Sequence, residues 1–301
     1  MTLDEMIADI RREINQPASD GFLSNHEIAA FINRGQDTMA ARIMEADQNF
    51  FDESDQTLGF IANQDEYDLP ARLQNRKLTL VKRTDVNLPD GLTIDYMPFQ
   101  DARRLYGVSG PIADPLVYYL RNQKLGIKPT PRVTVAANLL INYLMLPHEL
   151  HWAQVDSPTG TTFRMPTSTV ATPPYLKAGR ISTTPNYYVG AKIRILGGTD
   201  RGLERTITAF DVATRFATID SAWTQGNVSN QDYVILTPIM AELHNLLYQL
   251  GLMKCAKKAK DREAYQTAKD EIAATWGIID TIIPRHQDGP RHIPLPDDFE
   301  D

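Results

Sequence analysis

His148 and His151, in the run His148-Glu149-Leu150-His151, are the side chains whose types first suggest a metal ion. Zinc hydrolases use His-Glu-x-x-His on a helix, where a four-residue spacing puts both rings on one face and the glutamate activates water. Here the spacing is three and Pro147 comes directly before, so no metal site is expected. The turn Gly197-Gly198-Thr199-Asp200-Arg201-Gly202 would cradle a phosphate only if a helix N-terminus followed it. No Gly-Lys-Ser/Thr is present and the next segment has strand character, which predicts a hairpin turn. Cys255 is the single cysteine, spaced from Leu252 as on one helix face, and reads as a small buried hydrophobe. A Gly-x-Ser-x-Gly elbow is missing from the sequence. The carboxylates are too numerous for one acid pair to stand out. The sequence therefore implies no catalytic residue, no cofactor and no enzyme.

Charge and apolar spacing suggest contacts instead of catalysis. Lys254, Lys257 and Lys258, followed by Lys260, form the densest positive cluster. Residues 1–55 hold four arginines against twelve Asp and Glu, a balance of −8. Opposite charge on two faces of one protomer suits a heterologous, ring-closing contact. Tyr265, Ile272 and Trp276 lie just beyond the lysines, on a stretch with few apolar partners of its own. We expect these six residues, Lys254, Lys257, Lys258, Tyr265, Ile272 and Trp276, at a subunit interface. Ion pairing of the lysines with nearby Asp261, Glu263 and Asp270 on a solvated helix face is the alternative.

Whole-chain composition sets the frame for these contacts. The 301 residues carry a net charge of −7, which argues against a protein that coats nucleic acid or docks on an anionic membrane. A basic start and apolar run of a signal peptide are missing from the N-terminus. The longest apolar segment, 133–146, contains Asn138 and Asn142 and is too short to span a bilayer. Synthesis in the cytoplasm, with no membrane partner, is the expectation.

The elements follow from capping and periodicity. Thr2 with Glu5, and Ser24 with Glu27, each precede apolar residues three or four apart, which predicts two N-terminal helices. A helix pair could read DNA, but the acidic balance of this one opposes that. From Gln56 the period changes to two and predicts a hairpin through Tyr67-Asp68-Leu69-Pro70. A strand pair flanks Pro89-Asp90-Gly91, Pro98 opens a short helix ending at Tyr106, and further strands cover 115–146. Residues 238–276 hold no proline after Pro238 and read as one continuous helix of 39 residues, roughly 58 Å long.

Helix, helix, a hairpin ending in Tyr67-Asp68-Leu69-Pro70, strands carrying Leu125-Gly126-Ile127-Lys128-Pro129-Thr130-Pro131 and Leu140-Ile141-Asn142-Tyr143, then a long C-terminal helix: in this order the chain resembles the head-to-tail adaptors of tailed bacteriophages. The resemblance covers roughly residues 1–150 and 237–283. It implies a virion structural protein at the capsid–tail junction, made in the host cytoplasm. Its partners would be itself, in a ring of twelve as the family implies, the portal protein, and tail or tail-fibre proteins. Genomic DNA would pass through the channel without sequence-specific binding. The resemblance brings no active site.

The fold class expected is α+β: an N-terminal helix pair and a long C-terminal helix with an antiparallel sheet, plus an inserted small all-β domain. Residues 1–151 and 237–283 form the adaptor core in this division. Residues 152–236 form the insertion, its 157–185 part read as Thr, Pro and Ser-rich loop and its later part as a barrel or sandwich. Residues 284–301 form an extended tail with four prolines and a charge of −3, in which Ile293, Leu295 and Phe299 are isolated apolar anchors. The resemblance points to these anchors as the portal-docking device. Two rival readings stay open from sequence alone: a cytosolic nucleic-acid-binding regulator, and an enzyme whose site escapes motif recognition.

Overall fold

The computed structural model describes residues 1–16, 22–46, 53–69, 73–85, 88–106, 117–122, 124–166, 176–184, 186–223 and 228–282. It is a mixed α+β architecture of five helices and several largely antiparallel sheets among those residues. Among them, no helix is long and apolar enough to cross a membrane.

Local capping starts the first two helices. In α1 (Leu3–Glu13) the Thr2 N–H donates to Glu5 Oε2 at 2.7 Å, and Leu3, Met6, Ile7 and Ile10 are buried. In α2 (Asn25–Ala46) Ser24 Oγ accepts from the Glu27 N–H at 3.2 Å. Both helices pack on α4 (His244–Ala259), which a short 3₁₀ turn at Ala241–Leu243 introduces. Close approach of α2 and α4 depends on a glycine from each. A Cβ at Gly35 would lie 3.0 Å from Leu250 Cβ, and one at Gly251 would lie 2.8 Å from Ile32 Cγ1.

The expected continuous helix over 238–276 is in fact two. α4 ends at Lys260, in the left-handed region with φ 59°, and α5 (Arg262–Ile282) begins two residues later. The Asp261 N–H returns to the Ala256 carbonyl at 3.0 Å, closing the first helix. Asp261 Oδ1 then accepts the Ala264 N–H at 3.0 Å, capping the second. The chain thus turns, and α5 packs back on α4.

Residues 53–145 hold two four-stranded sheets. The first has the order β1-β8-β3-β4, from β1 (Glu53–Phe60), β3 (Leu73–Asp85), β4 (Leu88–Thr93) and β8 (Val135–Met145). The second has the order β2-β7-β6-β5, from β2 (Glu66–Asp68), β5 (Asp95–Tyr96), β6 (Val117–Arg121) and β7 (Lys124–Lys128). Its β5–β6 pair is parallel. Helix α3 (Phe99–Tyr106) covers β6 and β7. Pro89-Asp90-Gly91, expected as the turn between two strands, lies inside β4 as a bulge, because Gly91 takes φ +67° and the register jumps between Arg83 and Asp85.

Residues 152–235 form eight further strands: β9 (Trp152–Gln154), β10 (Asp156–Thr159), β11 (Thr162–Arg164), β12 (Leu176–Ala178), β13 (Lys192–Ile195), β14 (Glu204–Phe210), β15 (Phe216–Ile219) and β16 (Asp232–Ile235). Their order is β10-β11-β15-β14-β13-β16-β9-β12. β9 and β10 stand near opposite ends of this order yet are joined by Val155 alone, so the sheet curls into an open barrel whose two ends approach each other. Three strands fall in the 157–185 stretch that was expected as loop, or overlap its edge. Threonine, counted there as a loop residue, is β-branched and stabilises the β10–β11 hairpin, in which Thr159 faces Thr162.

Packing divides the protomer differently from the chain order. Helices α1, α2, α4 and α5 share one buried cluster with this curled sheet, from Leu3 and Ile32 to Phe163, Ile193 and Tyr233. The sheets of residues 53–145 bury separate clusters around Leu125, Ile141 and Val81, and around Ala102 and Tyr119.

Candidate subunit and docking interfaces

Of the lysines expected at an interface, Lys258 is engaged within its own chain. Its Nζ lies 2.5 Å from Glu27 Oε1 on α2 and 5.3 Å from the centre of the Phe22 ring. The hydrogen bond from Lys258 holds the Glu27 carboxyl below its usual range. Lys254 and Lys257 stand exposed on α4.

The apolar trio differs from expectation. Ile272 is buried, at 7% exposure, while Tyr265 and Trp276 are half-buried against the same cluster. The reason is the break at Lys260: a helix turned back on α4 finds apolar partners that a straight one would lack. Gln249 Nε2 donates to Glu271 Oε2 at 2.5 Å across the two helices. The tail anchors Ile293, Leu295 and Phe299 lie outside the described residues.

The histidine pair serves packing. His148 stacks on Tyr188 at 6.3 Å, and its Nε2 donates to the Val189 carbonyl at 3.2 Å. His151 sits edge-on to both Tyr188 and Tyr233, and burial lowers its pKa to about 3, which keeps it neutral. Among the described residues there is no group of three or more His, Cys, Asp or Glu arranged to hold a metal ion. Gly198 and Gly202, at φ +69° and +84°, turn the chain between β13 and β14, so a strand follows this loop. Cys255 is buried, and burial pushes its thiol up to about 12.

Two α2 side chains missed in the sequence hold the link between the two sheet systems. Asn33 Nδ2 donates to the Leu150 carbonyl at 3.0 Å, and its Oδ1 accepts the Leu150 N–H at 2.7 Å. Gln36 Nε2 donates to the His148 carbonyl at 2.7 Å. Their signal in sequence is weak: polar residues three apart on the half of α2 expected to be buried. Beside them a cleft of about 430 Å³ is lined by Glu149, Arg180, Ser182, Thr183, Thr184 and Tyr187. The Glu149 carboxylate accepts from Arg180 Nε at 2.8 Å and holds the guanidinium above its usual range.

None of the curated proteins compared with the chain matches it. The family model described as SU10 adaptor protein matches residues 1–156, more than half of the 301. The match takes in α1, α2, α3 and both four-stranded sheets and ends at the start of β10. Because the match covers more than half of the chain, the chain belongs to the SU10 adaptor protein family, a family of structural phage adaptors.

Proposed function

We propose that this adaptor forms a homo-oligomeric ring, of twelve subunits as the resemblance implies, that docks on the portal, continues the DNA channel and connects capsid to tail. The observation that carries the reading is the family match over residues 1–156. The net charge of −7 supports it, because a positively lined lumen would hold phosphates by releasing their counterions. The protein works at the capsid–tail junction of the virion after synthesis in the host cytoplasm. Residues 1–151 and 237–283 supply the adaptor core, and residues 152–236 are an insertion on the outside of the ring that meets tail or tail-fibre proteins. Lys254 and Lys257, with the outer faces of Tyr265 and Trp276, remain available to a neighbouring subunit. The acidic tail 284–301 reaches the portal through Ile293, Leu295 and Phe299, its prolines reducing the entropy lost on docking.

Electron cryomicroscopy of particles carrying this chain tests the reading. A closed ring of copies beneath the portal is expected; a single isolated copy at the vertex would overturn it.

A further inference from the structure

Backbone edges distinguish one surface from the rest. Among the described residues, β1 has a partner strand on only one side, β8, and its eight residues make it the longest edge strand of the three sheets. The other edges are short or covered. β2 and β5 have three and two residues. β10 continues directly from β9, and β12 lies against α2. A long edge presents unpaired N–H and C=O groups and is a template for a further strand.

The direction of the strands fits a second copy of this chain as the occupant. β1 with β8, β8 with β3, and β3 with β4 are all antiparallel, so directions alternate across the sheet and its two edge strands run opposite ways. A β1 from an identical copy, laid against β4, continues this alternation without a break. The contact joins different patches of the two copies, so it propagates from one to the next, as the ring proposed above requires. Pairing β1 with another β1 would stop at a dimer and leave β4 unused. Apolar side chains stand out at both edges: Leu92 on β4 is 45% exposed, and Ile61, just past β1, is 47% exposed.

We infer that in the assembled adaptor the outer edge of β1 pairs antiparallel with the outer edge of β4 of a second copy, so that the β1-β8-β3-β4 sheets of successive copies join into one. The inference rests on the ring reading above. The β4 bulge limits the regular backbone available to residues 92–94, so the shared ladder is short and Leu92 is its apolar anchor.

Cross-linking on purified particles tests it. Thr57 on β1 and Leu92 on β4 are both exposed, and residues facing each other across such a pair have Cβ atoms roughly 5 Å apart. Particles carrying T57C and L92C together, treated with a short bismaleimide, are expected to give a covalent ladder beyond the dimer; neither single variant should cross-link. Dimers from T57C alone would mean β1–β1 pairing and overturn the proposal. So would the lack of a ladder in the double variant when glutaraldehyde still fixes higher oligomers on the same particles, an outcome that leaves the ring intact. If glutaraldehyde too finds only monomers, the ring reading fails and takes this interface with it.

Discussion

His151 Nε2 lies 3.0 Å from the Tyr233 hydroxyl, with both rings buried in the shared helix–barrel core. Burial lowers the histidine pKa to about 3, against an ordinary value of 6.5. In the unfolded chain the ring takes a proton below about 6.5, whereas in the fold it does not. The fold is therefore favoured above that pH and loses stability as pH falls from 6.5 towards 3, by at most about 1.4 kcal/mol per pH unit from this group. Urea unfolding of wild type and His151→Phe at pH 7 and pH 5 checks this. The variant should lose less stability between the two than wild type does; equal losses would mean that another group titrates.

The helix break makes two opposite substitutions informative. Lys260 holds a left-handed conformation that glycine adopts without strain, so Lys260→Gly should stabilise the protein by about 1 kcal/mol. Asp261→Ala removes the cap of α5 and should cost about 1 kcal/mol. Thermal melting of both variants should show shifts of opposite sign.

The shared core sets the outcome of removing the insertion. Its entry and exit are neighbours, with Trp152 opposite Val234 in the β9–β16 ladder, so a short linker can replace residues 153–235 without stretching the chain. The helices would nevertheless lose the apolar partners that the barrel supplies. We expect that deletion to abolish cooperative unfolding of the helical part, which circular dichroism at 222 nm would follow as a broad, sloping melt.

Truncation after Ile283 tests the docking role proposed for residues 284–301. The shortened protein should melt at the wild-type temperature and yet fail to stay on portal-bearing capsids in a co-sedimentation assay. Undiminished retention would remove the tail from portal docking.

Short-range features of this fold are readable in the sequence, and long-range ones are not. Thr2 with Glu5 and Ser24 with Glu27 mark helix starts because capping acts within one turn. The period-two apolar pattern around Phe60 and Tyr67 marks a buried strand face for the same local reason. The stop at Lys260 was missed because neither glycine nor proline marks it, although Asp261 three residues before Ala264 was a cap in plain view. No periodicity says that the barrel packs on the helices instead of the first sheets, since that depends on which apolar faces meet in space. The candidate interface was legible only as charge: sequence shows that Lys258 is basic, but only the fold shows Glu27 beside it.

The packing of α1 and α2 on α4 has a consequence for synthesis. The 197 residues from 47 to 243 separate the end of α2 from the start of α4. At about 5–20 residues per second, roughly 10 to 40 seconds pass between the emergence of the two surfaces from the ribosome. Throughout that interval Ile28, Ile32, Met39 and Ile43 lack the helix that later covers them, whereas the sheets of residues 53–145 have every strand they need once β8 has emerged, well before α4. The protomer is thus completed from its middle outwards, and a chaperone acting on the nascent chain would find its binding surface at the N-terminus.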